Sequence, residues 1–255
     1  MIFKNNKTLF YKKEKLKECF NKKTVILDIN LNKKVDLNKI KNKDYESIIL
    51  NISDNCNLLD NNQKSKLIKK IIKSGKIIRK KRVKLGVLFE NKMFIANMEY
   101  KINDIENNEI LIALKAISYT DLVKKYVFLY GKMCNYLDNK FCSNNYCDFK
   151  DDICIEKRGT NATMGCCHYF KHKYTGIFRK NDLVLCRYQK NRSCIAECIT
   201  CKMFTCDTLQ KNNIKFTLNN VVLIKEFFNP FQKLIIKFSF FTHKKIILKR
   251  LLLLA

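Results

Sequence analysis

The 255-residue chain has little of what breaks regular structure: one Pro, six Gly and no Trp. That scarcity argues against a loop-rich all-β chain and favours helices. Uninterrupted apolar runs of about 18 residues, the minimum for a spanning helix, are also missing. The apolar stretch 231–255 is cut by Lys233, Lys237, Lys244, Lys245, Lys249 and Arg250, so no transmembrane segment is expected. The first residues show no apolar core of a secretory signal, and a cytoplasmic location is the expectation. The Asn-x-Ser/Thr matches at Asn6, Asn51, Asn161 and Asn191 then carry no weight, because an Asn-rich chain produces them by chance. With three His in all, no Ser/His/Asp triad can be argued, and no Gly-rich phosphate loop, internal repeat or paired catalytic acid is present. No catalytic residue is assigned.

What is present can build a core: 47% of residues are apolar and 29% charged. The formal charge of +28 makes anionic partners worth considering. It is carried mostly by Lys, with only seven Arg among 51 basic residues. Arg is the side chain that reads phosphate and base edges bidentately, so its scarcity weakens a nucleic-acid reading. Charge is spread evenly over both halves of the chain. The local exception is 64–84, which holds eleven basic residues and no acidic one. Leu67, Ile68, Ile71 and Ile72 share one helical face there, with lysines around them. Lys69, Lys70, Lys73, Arg79, Lys80 and Arg82 are the candidate contacts to phosphates of a nucleic acid or another anionic surface. The plainer alternative is a solvated helix face.

Residues 1–23 read as a polar helix or loose arm. Segments 24–29 and 45–53 read as short strands rich in β-branched residues. A helix is expected over about 62–74, closed by Gly75 as C-cap. Segments 82–90 and 93–100 form the best hairpin candidate, turning at Asn91-Lys92. The order Ser118-Tyr-Thr-Asp121 resembles a capping box opening a helix over about 119–137. The Cys-rich stretch 142–206 shows little periodicity. Beyond it, Phe227, Phe228, Phe231, Leu234, Ile235, Phe238, Phe241, Ile246 and Ile247 suggest two helices broken near 241–243, with an aromatic stripe serving as core. The expected fold is α+β: a small basic α+β domain over 1–115, then a mainly helical, Cys-rich metal-binding domain over 116–255.

Cysteine is the strongest signal. Eleven of the 13 fall between Cys134 and Cys206. Cys142-x4-Cys147-x6-Cys154 leads, the adjacent pair Cys166-Cys167 and His168 follow, then Cys186, and Cys194-x3-Cys198-x2-Cys201-x4-Cys206 closes the group. Thiolates two to four residues apart converge on one ion from one turn, which is why metal sites show such spacings. A reducing compartment excludes a disulfide framework. The candidate ligands are Cys147, Cys154, Cys166, Cys167, Cys186, Cys194, Cys198, Cys201 and Cys206. Cys194, Cys198, Cys201 and Cys206, the tightest group, form the first expected site, and the other five compete for a second. Zinc and an iron–sulfur cluster both take four such ligands and stay open as cofactors. Thiol redox chemistry, with Cys166-Cys167 as a vicinal pair, is a further possibility. Cys19 and Cys56, isolated in the first half, read as inert buried thiols.

The stretch 145–216 resembles a group of bacterial cysteine-cluster proteins described as zinc- or iron-chelating. The likeness rests on Tyr146-Cys147-Asp148-Phe149, Cys154, Met164-Gly165-Cys166-Cys167, Cys186, Cys194, Cys198-Ile199-Thr200-Cys201, Lys202-Met203-Phe204-Thr205-Cys206 and Phe227-Phe228-Asn229. It covers about 119–255 and leaves 1–115 as an added domain. What it implies is a metal ligand set, without naming the metal, a substrate or a partner. The expected function is therefore a metal-binding protein with one or two Cys-ligated centres. The alternatives are a nucleic-acid-binding protein with structural zinc and a basic 64–84 surface, and an iron–sulfur electron carrier or enzyme.

Overall fold

The structure is a computed structural model describing residues 9–10, 24–37, 46–54, 56–81, 84–89, 92–95, 108–144, 149–150, 153–154, 168–175, 178–185, 187–190, 193–205 and 210–255. The chain divides between Lys125 and Tyr126 into two compact units.

The first unit is built on a five-stranded sheet. Its strands are β1 (Leu9–Phe10), β2 (Thr24–Ile29), β3 (Ser47–Ile52), β4 (Lys84–Phe89) and β5 (Lys92–Ile95), in spatial order β1-β5-β4-β3-β2. β2, β3 and β4 run parallel, while β5 is antiparallel to both β4 and β1. Parallel strands covered on both faces need near-continuous apolar runs, and β3 supplies one: Ile48, Ile49, Leu50 and Ile52 are all buried. Two polar pairs mark the β2–β3 register. Thr24 and Ser47 hydroxyls lie 2.7 Å apart at the first rung, and Asn51 Nδ2 donates to Asp28 Oδ1 at 2.5 Å further along.

A parallel neighbour requires a crossover, and α1 (Asn61–Lys81) provides it between β3 and β4. Asp60 and Gln63 form a reciprocal capping box, with Gln63 N donating to Asp60 Oδ1 (2.8 Å) and Asp60 N to Gln63 Oε1 (3.0 Å). The helix does not stop at Gly75 as expected but runs six residues past it. A Cβ on Gly75 would stand 2.9 Å from Ile117 Cβ, so this glycine serves helix packing rather than termination. Ile117 belongs to α2 (Glu109–Ser118), a helix absent from the sequence expectations, which lies across the expected domain boundary. Asn108 caps it, and Lys64 of α1 pairs with its buried Glu109 at 3.0 Å. The β4–β5 hairpin forms where expected. Phe89 pairs with Lys92, so Lys92 is in the strand and not in the turn.

In the second unit the helix expected from about 119 is α3 (Leu122–Asn144), which spans the division point. Asp121, not Ser118, caps it, accepting from Val123 N and Lys124 N, while Ser118 closes α2. The Cys-rich stretch, expected to show little helical periodicity, is largely extended over its described residues. It carries three antiparallel pairs: β6 (Phe149–Lys150) with β7 (Ile153–Cys154), β8 (His168–Thr175) with β9 (Phe178–Leu185), and β10 (Gln189–Lys190) with β11 (Ser193–Cys194). The helices with described bounds after these pairs are α4 (Ile199–Lys202), α5 (Val222–Phe227), α6 (Pro230–Phe238) and α7 (Lys244–Leu253). The break between the last two lies at 239–243, as expected.

The aromatic stripe is core only in part: Phe227, Phe228 and Ile247 are buried, but its members on α6 are not. Phe231 and Phe238 are 67% and 69% exposed, and α6 buries Gln232 and Ile236 instead. The capping box between Asn229 and Gln232 explains this. Gln232, whose carbonyl accepts from Asn229 N, is turned inward, and its Nε2 donates to Tyr126 OH and Leu251 O, both at 2.9 Å. One glutamine thereby ties α3, α6 and α7 together, and Phe231 and Phe238 of the same helix face outward.

Candidate thiolate centre

Cys198 and Cys201 stand at either end of the first turn of α4, with Cys198 as its N-cap. A four-residue helix has no stability of its own, and this one is held from both sides by tertiary contacts. On one side, α3 presents Tyr130, Cys134 and Asp138, spaced four residues apart and therefore stacked along one stripe. Tyr130 OH accepts from Ile199 N at 3.2 Å, Cys134 Sγ donates to Glu197 O at 3.4 Å, and Asp138 forms an ion pair with the buried Lys202. On the other side, the α6–α7 connection turns its backbone towards the sulfurs. Cys198 Sγ lies 3.0 Å from Ser239 O, Phe241 N donates to Cys201 Sγ at 3.2 Å, and Thr200 Oγ1 donates to Ile236 O.

Glu197 and Phe241 have φ of 47° and 52°, the left-handed region that non-glycine residues adopt at a cost of about 1–2 kcal/mol. One residue immediately precedes Cys198, and the other brings its N–H to Cys201. Lys244 ties the two segments together, its backbone N donating to Ala196 O at 2.8 Å and its Nζ pairing with Glu197.

The electrostatics separate three thiols that composition alone makes equivalent. Cys198 is pulled down to about 6, first by a hydrogen bond from the Cys201 side chain, with the Cys201 and Thr242 backbone N–H groups adding to it against the opposing effect of burial. The Ser239 carbonyl is its acceptor when the proton is present. Cys134 moves the other way: burial pushes its thiol up, and the nearby Lys202 only partly offsets this. Burial likewise raises the Tyr130 phenol, and it raises the Asp138 carboxyl against the pull of Lys202. Cys198 and Cys201 thus form a paired thiol and thiolate supplied with N–H donors, the arrangement that favours anionic sulfur. Cys134 stays a protonated brace.

Of the nine expected metal ligands, Cys198 and Cys201 are brought together. Cys154 and Cys194 end β7 and β11, and only their backbones are described. Cys147, Cys166, Cys167, Cys186 and Cys206 lie outside the described residues, as does Cys19. Among the described residues no group of three or more His, Cys, Asp and Glu side chains converges in a way that could hold a metal ion. Cys198 and Cys201 would therefore fit half of a four-ligand site. Cys56 is buried, in keeping with the expectation of an inert thiol. Tyr130, Cys134, Asp138 and Lys202 escaped the sequence reading as site residues. The only sequence signal for the first three is polar atoms recurring every fourth residue on an otherwise apolar α3 stripe.

The basic segment is also resolved in part. Lys69 and Lys73 are exposed on α1. Lys70, expected as a phosphate contact, is a correction: its ammonium donates to the carbonyls of Asn30 (2.6 Å), Leu31 (2.9 Å) and Lys33 (3.0 Å), and is spent on the fold. The backbones of Arg79 and Lys80 belong to α1, and Arg82 lies outside the described residues. Among the described residues no helix is long and apolar enough to cross a membrane. No family model, curated protein or solved structure matches the chain.

Proposed function

We propose that the chain is a cytoplasmic protein that binds a thiophilic metal, zinc or an iron–sulfur cluster, through cysteine thiolates of residues 126–255, in the manner of the bacterial cysteine-cluster proteins it resembles. The observation that carries this reading is the Cys198–Cys201 pair: two adjacent sulfurs, one of them acidic, each reached by backbone N–H donors. A metal ligand must be a thiolate, and N–H donors to sulfur are the outer-shell contacts that stabilise it. Cys194 and Cys206, four positions before and five positions after the pair, are the thiols that would complete four ligands on this reading. The metal's contribution would be a cross-link that adds folding energy to a segment with little regular structure of its own.

The test is anaerobic purification with elemental analysis and a visible spectrum of the same sample. About one or two zinc ions, or iron with acid-labile sulfide, are expected per chain. Replacing Cys198 and Cys201 together by Ser empties their site, which removes all of the metal if there is one centre and about half if there are two, and Cys134→Ser leaves it in place. Neither metal in the reduced protein, or a double variant that keeps the wild-type content, overturns the reading.

A further inference from the structure

We propose that the outer face of α1 is a binding surface for the phosphate backbone of a polynucleotide. From Asn61 to Phe89 the chain has no acidic residue. The basic residues of α1 differ in how far they reach solvent. Lys64 faces Glu109, and Lys70 is turned to three backbone carbonyls. Lys66, Lys69, Lys73 and Lys76 are exposed, at steps of three, four and three residues, and so lie along one side of the helix. Like charges at such spacings destabilise a helix, and α1 holds its shape because Leu67, Ile68, Ile71 and Ile78 are buried on the opposite side.

Ten residues of helix cover about 15 Å. A duplex carries a phosphate about every 3.4 Å along each strand, so about four phosphates of one strand occupy the length over which four ammonium groups stand. A lipid surface fits less well. Interfacial helices insert large apolar side chains beside their lysines, whereas the exposed large apolar residues of the described chain include none from α1. With Lys and no Arg among these four, the surface grips the backbone without reading bases.

The experiment uses the full chain and a fluorescein-labelled DNA duplex of arbitrary sequence, titrated across a salt series. Four variants accompany it: Lys66, Lys69, Lys73 and Lys76 all changed to Gln; the same four changed to Arg; Lys211, Lys215, Lys245 and Lys249 all changed to Gln, which removes the same charge from exposed sites of the second unit; and Cys198→Ser. The α1 Gln variant is expected to lower the slope of log affinity against log salt by about 3 to 4, at about 0.9 per phosphate contact. The Arg variant, the second-unit Gln variant and Cys198→Ser should keep the wild-type slope. Matching circular dichroism melts show that the α1 Gln variant is folded. The proposal fails if the wild-type chain does not bind the duplex at low salt, if both Gln variants lose affinity equally, or if the chain binds phosphatidylserine–phosphatidylcholine vesicles and not the duplex.

Discussion

Helix α1 and the segment 197–202 are opposite ways of making a helix. α1 has 21 residues, a sidechain cap at Asp60 and an apolar face that its own spacing defines. α4 has four residues, a cap without a side-chain hydrogen bond, and partners drawn from 69 residues before it and 41 after it. In α1 the chemistry points outward and the packing is local in sequence. In α4 the reactive atoms point inward, and their character is set by groups the neighbouring sequence does not contain. Two cysteines three apart become unlike, Cys198 acidic and Cys201 its donor, because the 239–242 backbone folds over them.

The contrast can be broken most sharply at Asp138. Asp138→Asn removes the counter-charge of Lys202, whose side chain is 3% exposed, and should cost about 3 kcal/mol in a urea melt. A loss below about 0.5 kcal/mol, the size of a surface pair, would show that α4 does not depend on α3 in this way. In α1 the equivalent weak point is volume. Gly75→Leu forces side-chain atoms into Ile117 and should destabilise by about 1–3 kcal/mol despite the better helix propensity, a sign that a thermal melt reads directly.

A pH series sharpens the same comparison. In the metal-free chain Cys198 has a folded-state pKa of about 6, against an ordinary thiol value of 9.0 in the unfolded chain. The unfolded state then binds the extra proton between these values, so stability rises as pH rises from 6 towards 9 and falls away on acidification. Cys134 is shifted upward and acts in the opposite sense above pH 9. Cys198→Ser should flatten the rise between 6 and 9; a variant that keeps it places the titrating group elsewhere. The smallest effect is expected at the α6 cap, where Asn229→Ala should cost about 1 kcal/mol.

Much of the first unit was legible because its elements announce themselves locally. The strand TVILDI at 24–29 was expected with its observed bounds, and β3 and the β4–β5 hairpin carry the same β-branched and turn signals. α2 was missed for a physical reason: EILIALKAIS is buried nearly all round, so it has no polar face to create a period. Gly75 read as a stop because its purpose, room for Ile117, lies 42 residues away in the sequence. At the candidate site, cysteine spacing picked out Cys198 and Cys201. It left Cys134 out of the ligand set, but it could not show which thiol of the pair is the acidic one, since that comes from which N–H groups arrive.

Lys70 has a use beyond tying α1 to the turn after β2. It sits between lysines that face water, yet its ammonium is clasped by three carbonyl oxygens of the turn after β2. An amine-acylating reagent applied briefly to the native chain should mark Lys66 and Lys73 and pass over Lys70. Once the clasp opens, all three become equivalent. The ratio of labels within one tryptic map is then a built-in gauge of how often the first unit breathes, read by mass alone.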